Sequence, residues 1–200
     1  MWNERYSGDD YLFGTEPAAF LPRAKQWLRP GQTALAIADG EGRNSVWLAA
    51  QGLTVAAFDP AGNAVAKARR LAAARGVAVD YHICDLDGWD WSRAFDVVAG
   101  IFIQFVGPQE RARLFARIDG ALAPGGLLLL HGYAPRQVGY GTGGPPCAEN
   151  MYTLALLRQA FAGYEVLLAA DFDAVVDEGR GHSGRSALVD FVARKPAASG

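Results

Sequence analysis

The sequence has little of what metal, disulfide and nucleic-acid sites require. It holds two cysteines, Cys84 and Cys147, and three histidines, and it contains no CxxC pair. This excludes a recognisable zinc or redox motif, and we expect no bound metal. The net charge is −2, and the one basic cluster, KARR at 67–70, lies in an alanine-rich stretch typical of a solvated helix face. Without clustered Lys and Arg, no nucleic-acid partner is expected.

Long apolar runs are missing as well. No run approaches the ~18 residues of a membrane-spanning helix, and residues 1–20 contain acids but no apolar signal region. We therefore expect a cytoplasmic protein without a membrane partner. With 200 residues, half of them hydrophobic and a fifth charged, the chain fits a single domain over 1–200. The sequence leaves monomer and homodimer open.

Apolar runs alternate with helical patterns over the first two thirds of the chain. Strands are predicted at 33–38, 54–59, 77–84, 95–102 and 127–133, with APGG at 123–126 breaking the chain before the last of them. Helices are predicted at 43–52, 61–76 and 108–122. In the third helix Leu114, Ile118 and Leu122 recur every four residues and make a buried stripe.

A loop rich in Gly and Pro follows at 134–150 and predicts irregular structure near a functional site. A helix is predicted at 152–161, and two β-rich runs, 164–176 and 186–195, close the chain as an antiparallel hairpin. The pattern predicts a doubly wound, Rossmann-like α/β fold with a mostly parallel sheet and three α/β/α layers.

The turn after the first predicted strand reads DGEGRN, from Asp39 to Asn44. A glycine-rich turn between a strand and a helix is typical of a nucleotide site, but here the third position of the dinucleotide fingerprint is Ser45 and no GK[ST] follows. Because ligands of such sheets bind beyond the carboxyl ends of the strands, the residues at those ends are candidates.

Two further strand ends carry acids. Asp59 lies nineteen residues after Gly40, near the spacing of about twenty expected for an acid that binds ribose hydroxyls; the alternative is a turn started by Asp-Pro. Asp85 could accept from an adenine amino group, and its alternative is an Asx turn.

The acids of the turn restrict the ligand. A pyrophosphate beside Asp39 and Glu41 would meet like charge at about 4 kcal/mol per contact at 4 Å and an effective dielectric near 20. A ligand with adenine and ribose, no phosphate, and a sulfonium and an ammonium meets no such objection, and S-adenosylmethionine is that ligand. The alternative is that both acids point into solvent, which would leave the turn neutral towards a dinucleotide.

The sequence also resembles the class I S-adenosylmethionine-dependent methyltransferases, within them the small tellurite-resistance and thiopurine-methyltransferase-like group. The resemblance rests on GEGRNSVWLAAQGLTVAAFD at 40–59, LAPGGLLLL at 122–130, WNERYSGDDYLFGTEPAAFL at 2–21 and GTGGPP at 141–146. It implies a seven-stranded sheet and an N-terminal lid over 1–30. The acid that usually opens the glycine loop falls on Ala36 and the first glycine on Ala38, so Asp39 would have to supply the missing charge.

The resemblance also implies where the cofactor binds. The expected contacts are Asp39, Gly40, Gly42 and Asn44 in the turn, Asp59 and Pro60, Asp85 and Leu86, and Gly100 and Ile101.

Methyl transfer needs alignment and exclusion of water, and a base only where the acceptor holds its proton. A soft sulfur, selenium or tellurium nucleophile would require none. No His–Asp or Ser–His pair can be placed by spacing, and the catalytic candidates are His131, His182 and Gln104. The alternatives are a structural histidine for His131 and an ordinary polar loop for His182, and Gln104 stands where members of the resembling family often carry His. The acceptor candidates are Tyr6, Tyr11, Phe13, Phe102, Tyr133 and Arg136; for the aromatic ones the alternative is core packing.

Two other functions stay open at this point. An NAD(P)-dependent oxidoreductase would use the same fold, although the incomplete fingerprint and the acids of the turn argue against it. A non-catalytic S-adenosylmethionine-binding module is compatible with Ala36, Ala38 and Gln104.

Overall fold

The computed structural model describes residues 2–179 and 183–198. Its strands are β1 (Thr33–Ile37), β2 (Thr54–Asp59), β3 (Val79–Ile83), β4 (Phe95–Ile101), β5 (Leu122–Tyr133), β6 (Glu165–Asp177) and β7 (Ser183–Arg194). The α-helices are α1 (Trp2–Arg5), α2 (Phe20–Ala24), α3 (Arg43–Ala50), α4 (Gly62–Ala74), α5 (Pro108–Ala121) and α6 (Leu154–Ala160). In these residues no helix is both long and apolar enough to cross a membrane.

The strands form a seven-stranded sheet in the order β3-β2-β1-β4-β5-β7-β6. Only β7 runs antiparallel to its neighbours, β5 and β6, and helices flank the sheet. The predicted fold class, including the C-terminal hairpin, is confirmed.

The chain divides into two compact units. The first holds residues 2–90 with 178–179, and its strands β1, β2 and β3 pair in parallel. The central strand β2 is buried on both faces from Val55 to Asp59, as its continuous apolar run predicts. Helix α3 ends before Gly52, whose φ of 88° is the left-handed conformation expected after a helix C-terminus.

The second unit holds residues 91–177 and 183–198. Here β4 pairs in parallel with β5, and β7 pairs antiparallel with both β5 and β6. Leu114 and Ile118 of α5 and Leu122 just beyond it are each at most 2% exposed, which confirms the predicted stripe.

Two predictions about the second unit are wrong. Strand β5 begins at Leu122 rather than residue 127, because Leu122 already pairs with Phe95 and a register shift takes up the irregular APGG stretch. The loop 134–150 contains two 3₁₀ turns, Pro135–Gly139 and Ala148–Asn150. The fully buried Gln137 accepts from the Ala187 amide and donates to the Gly143 carbonyl, and this side chain orders the loop.

Ala38 adopts φ 47° directly after β1, a left-handed conformation that costs a residue with a Cβ about 1–2 kcal/mol. We expect Ala38→Gly to raise the free energy of unfolding by about 1 kcal/mol, or Tm by about 2–4 °C, because glycine adopts this φ without strain. Ala36→Gly is the matched control: Ala36 is buried in β1, so loss of its methyl group should lower stability. A lower Tm for both variants would contradict the strain at Ala38.

Candidate functional site

Asp39 lies at the tip of β1 and is half-buried. Its Oδ1 accepts from the Ser45 amide at 3.2 Å and its Oδ2 from the Ser45 hydroxyl, which fixes the carboxyl against the first turn of α3. Desolvation by the surrounding protein raises the pKa of Asp39 to about 7. No Lys or Arg forms an ion pair with it anywhere in the described part of the chain. Asp39 is thus an acid without a direct ion-pair partner in the described residues, although the nearby charge of Arg43 lowers its pKa.

Glu41 has the opposite environment. It is 3% exposed, and its Oε1 lies 2.8 Å from Nζ of Lys67, which is itself 3% exposed. Its Oε2 accepts from the amides of Leu12 and Phe13 at 2.7 and 3.4 Å. The expectation that both turn acids face a ligand is therefore wrong for Glu41, which is neutralised inside the protein. The solvated helix face predicted at 67–70 is likewise wrong for Lys67.

Asp59 joins the end of β2 to the glycine turn. Its Oδ2 accepts from the Gly40 amide at 3.0 Å and its Oδ1 from the Ala61 amide at 2.8 Å. Burial raises the pKa of Asp59 from its usual range. Each carboxylate oxygen can accept a second hydrogen bond, so both oxygens keep acceptor capacity that a ribose hydroxyl could use. Pro60 follows and is exposed.

The two glycines of the turn serve different purposes. A Cβ on Gly42 would lie 2.6 Å from the Cβ of Ala68 and 2.8 Å from the hydroxyl of Tyr81, so this glycine lets α3 approach α4. A Cβ on Gly40 would instead approach the Tyr6 hydroxyl at 3.2 Å. Both glycines have positive φ, which the turn requires.

Three aromatic side chains of the N-terminal segment pack together beside the turn. Tyr6 stacks on Trp2 with ring centroids 5.7 Å apart, and Phe13 contacts both rings. Burial and the carboxylate of Asp59 raise the pKa of Tyr6, so its hydroxyl keeps its proton. Tyr11 points elsewhere: its hydroxyl donates to the Lys67 carbonyl, and its ring packs against the core around α4.

Asn44 ties the same segment to α3. Its Oδ1 accepts from the Ala18 amide at 3.0 Å, and the side chain is 7% exposed. The Asn44 side chain, predicted from the sequence to contact the cofactor, therefore positions the N-terminal segment.

Asp85 follows β3 and is exposed, while Leu86 is half-buried. Oδ1 of Asp85 accepts from the amides of Asp87 and Gly88 at 3.1 and 2.9 Å, so the Asx turn considered from the sequence is present. Oδ2 adds further acceptor positions, and the turn does not conflict with adenine binding.

Arg43 was missed by the sequence reasoning. Its side chain is 7% exposed, and Nη2 donates to Oε2 of Glu178 at 2.8 Å. Its Nη1 is buried without a hydrogen-bond partner. The sequence did contain an indication of its role: a cation in the first turn of a helix is disfavoured by the helix dipole, so Arg43 needs an anionic partner.

In the second unit Gly100 and Ile101 end β4. A Cβ on Gly100 would lie 2.6 Å from Cδ1 of Ile103 and 2.9 Å from Cδ2 of Leu130, so tight packing explains this glycine. Ile101 is 9% exposed. These contacts favour a structural role at both positions.

Phe102, His131 and Tyr133 form an aromatic cluster at the ends of β4 and β5. The Phe102 ring lies 4.7 Å from that of His131 and 4.9 Å from that of Tyr133, and Phe102 has φ 57°. A bulky residue in this conformation marks a strained position, which is common at functional sites. Nδ1 of His131 lies 2.7 Å from Oδ1 of Asp190, with both side chains almost fully buried.

The other catalytic and acceptor candidates have structural partners or lie outside the described residues. Gln104 donates to the Tyr133 carbonyl and accepts from its amide, so its side chain is engaged by the backbone. Arg136 donates to Asp171 and Asp173, which raise its pKa and already satisfy its charge. His182 lies outside the described residues.

Comparison with known proteins shows what this arrangement is similar to. Residues 34–126 match the model of the methyltransferase domain. No curated protein shows significant sequence similarity to the chain.

Solved structures share the fold. TehB from Haemophilus influenzae superposes with a TM-score of 0.72 at 15% identity, over 97% of this chain and 65% of that one. Magnesium protoporphyrin IX methyltransferase from Synechocystis, with bound SAH, gives 0.67 at 17% identity, over 97% and 92%. A structure described for the conversion of a disulfide bond into a thioacetal group in echinomycin biosynthesis gives 0.74 at 20% identity, over 98% and 89%. The chain is therefore similar to the methyltransferase domain over residues 34–126 and shares its fold with these proteins.

Proposed function

We propose that the protein transfers a methyl group from S-adenosylmethionine to a small-molecule acceptor. The observation that supports this most strongly is the half-buried Asp39 at the tip of β1, which forms no direct ion pair in the described residues. A carboxylate in such a place is stabilised by a cationic ligand and repels a phosphate. When bound, S-adenosylmethionine supplies a methyl group already activated by its sulfonium.

Of the two acids of the turn, only Asp39 therefore disfavours a phosphate. Glu41 is neutralised by Lys67 and contributes little net charge to the loop. A pyrophosphate 4 Å from the ionised form of Asp39 would meet up to about 4 kcal/mol of repulsion at an effective dielectric near 20. With the methyltransferase domain match, this favours S-adenosylmethionine over a dinucleotide.

We propose that the Asp59 carboxylate accepts hydrogen bonds from the ribose hydroxyls of the cofactor. Asp59→Ala should weaken binding of S-adenosylhomocysteine by about 1–3 kcal/mol, roughly 5- to 150-fold, because a buried acceptor is lost. Titration calorimetry measures this directly, and Asp87→Ala, an exposed acid near the end of β3, is the control. Unchanged affinity in Asp59→Ala would place the ribose elsewhere.

For the acceptor we propose a soft sulfur, selenium or tellurium nucleophile. Gln104 is engaged by the Tyr133 backbone, and His131 is almost fully buried beside Asp190, so neither side chain presents an open base. An acceptor that is already deprotonated needs none. The structure described for the conversion of a disulfide bond into a thioacetal group, a reaction at sulfur, shares this fold and agrees with this class.

A panel of acceptors tests the proposal. The purified protein is incubated with methyl-labelled S-adenosylmethionine and thiophenol, benzeneselenol, phenol or aniline, and the methylated products are quantified. We expect transfer to the thiol and the selenol. Transfer to phenol or aniline alone would contradict the soft-nucleophile assignment.

A further inference from the structure

We propose that Arg43 is a binding residue for an anionic oxygen, such as a carboxylate, on a ligand of this site. The inference rests on the proposed function, because the two ligands considered are the amino-acid end of the cofactor and the acceptor. No such role follows from the glycine turn itself, whose expected contacts lie on either side of Arg43.

The side chain of Arg43 is more than nine-tenths buried and only partly satisfied. Nη2 donates to Glu178, whose other oxygen accepts from the Ala19 amide, so the guanidinium is held in place from one side. Nη1 has no hydrogen-bond partner. A guanidinium stays protonated in proteins, and buried donors are nearly always hydrogen-bonded, so Nη1 requires an acceptor.

A second arginine of the same protein shows the complete arrangement. Arg136 bridges two carboxylates: its Nε and Nη2 donate to Asp173 and its Nη1 donates to Asp171. Arg43 has one carboxylate, that of Glu178. A ligand carboxylate on Nη1 would give Arg43 the same two-sided coordination.

The position of Arg43 indicates which ligands can reach it. It is the first residue of α3, directly after the glycine turn, and its charge acts on Asp39. An anion at Arg43 would therefore lie close to a cation held by Asp39. The zwitterionic amino-acid end of S-adenosylmethionine carries both charges, and a carboxylate-bearing acceptor carries the anion alone.

Two ligand pairs separate these sources. S-adenosylhomocysteine and 5′-methylthioadenosine differ by the amino-acid end; 4-mercaptobenzoate and 4-mercaptobenzamide differ by the acceptor charge. Each is titrated by calorimetry into the wild type and Arg43→Gln, the acceptors with S-adenosylhomocysteine saturating. We expect Arg43→Gln to lose about tenfold or more in affinity for one carboxylate ligand, with its neutral counterpart unchanged.

Two further variants distinguish ligand binding from a structural role. Glu178→Gln keeps an acceptor for the Ala19 amide but removes the competing charge, so the same carboxylate ligand should bind several-fold more tightly. Arg75→Gln removes the exposed ion pair between Arg75 and Glu16 of the N-terminal segment. This variant should leave the affinities for all four ligands unchanged.

The outcomes are distinct. Equal affinities in the wild type and Arg43→Gln for both carboxylate ligands would overturn the inference and leave the methyltransferase proposal intact. Equal weakening of charged and neutral ligands would overturn it too, since that indicates a distorted turn. If the wild type binds neither adenosine ligand, the proposed cofactor site is wrong and this inference falls with it.

Discussion

Glu41→Ala is expected to lower the free energy of unfolding by about 3–5 kcal/mol, the cost of leaving one partner of a buried ion pair without the other. Lys67 would keep its charge in a site only 3% exposed, and the amides of Leu12 and Phe13 would lose their acceptor. Urea unfolding measures the loss. Proteolysis of the segment preceding Ala18 should accelerate at the same time, because Glu41 holds that segment.

Two variants make this result specific. Glu16→Ala removes the exposed pair with Arg75 and should change stability by no more than about 0.5 kcal/mol. Glu41→Leu combined with Lys67→Met should recover part of the loss, because apolar residues can replace a buried ion pair. A Glu41→Ala variant as stable as Glu16→Ala would contradict the claim that the buried Glu41–Lys67 ion pair stabilises the fold.

Asp39→Asn is expected to stabilise the protein in a pH-dependent way. The pKa of Asp39 is about 7 in the fold against 3.8 ordinarily, so the folded state binds more protons than the unfolded state between these values. Stability contributed through Asp39 therefore falls as pH rises from about 4 to 7, by at most about 1.4 kcal/mol per pH unit. The gain of Asp39→Asn over the wild type should grow by about 2–4 kcal/mol between pH 4.5 and pH 8.

Urea unfolding of both proteins at these two pH values, without ligand, checks the prediction. Asp85→Asn, which removes an exposed carboxylate from another strand end, is the control for the loss of one acid. A gain of the same size at both pH values would mean that Asp39 titrates normally.

The fold could be predicted because local pattern determines most of it. Strand β2 was predicted with its observed bounds, since a continuous apolar run between a helix end and Asp-Pro has one plausible structure. The α5 stripe follows from helical periodicity. The start of β5 was missed because Gly and Pro normally break a strand, and only pairing of Leu122 with Phe95 extends it.

The site was less predictable because its charges are paired across long stretches of sequence. Glu41 and Lys67 are 26 residues apart, and Arg43 and Glu178 are 135 apart. His131 meets Asp190 only through the antiparallel register of β5 and β7. Spacing along the chain cannot show which of two nearby acids, Asp39 or Glu41, receives a cation from the protein.

Titration calorimetry with S-adenosylhomocysteine and with NADH tests the account most directly, because it asks whether the loop at Asp39 receives an adenosine ligand without phosphate. We predict saturable binding of S-adenosylhomocysteine to the wild type, weakened in Asp59→Ala, and no measurable binding of NADH. Binding of NADH without binding of S-adenosylhomocysteine would contradict the account.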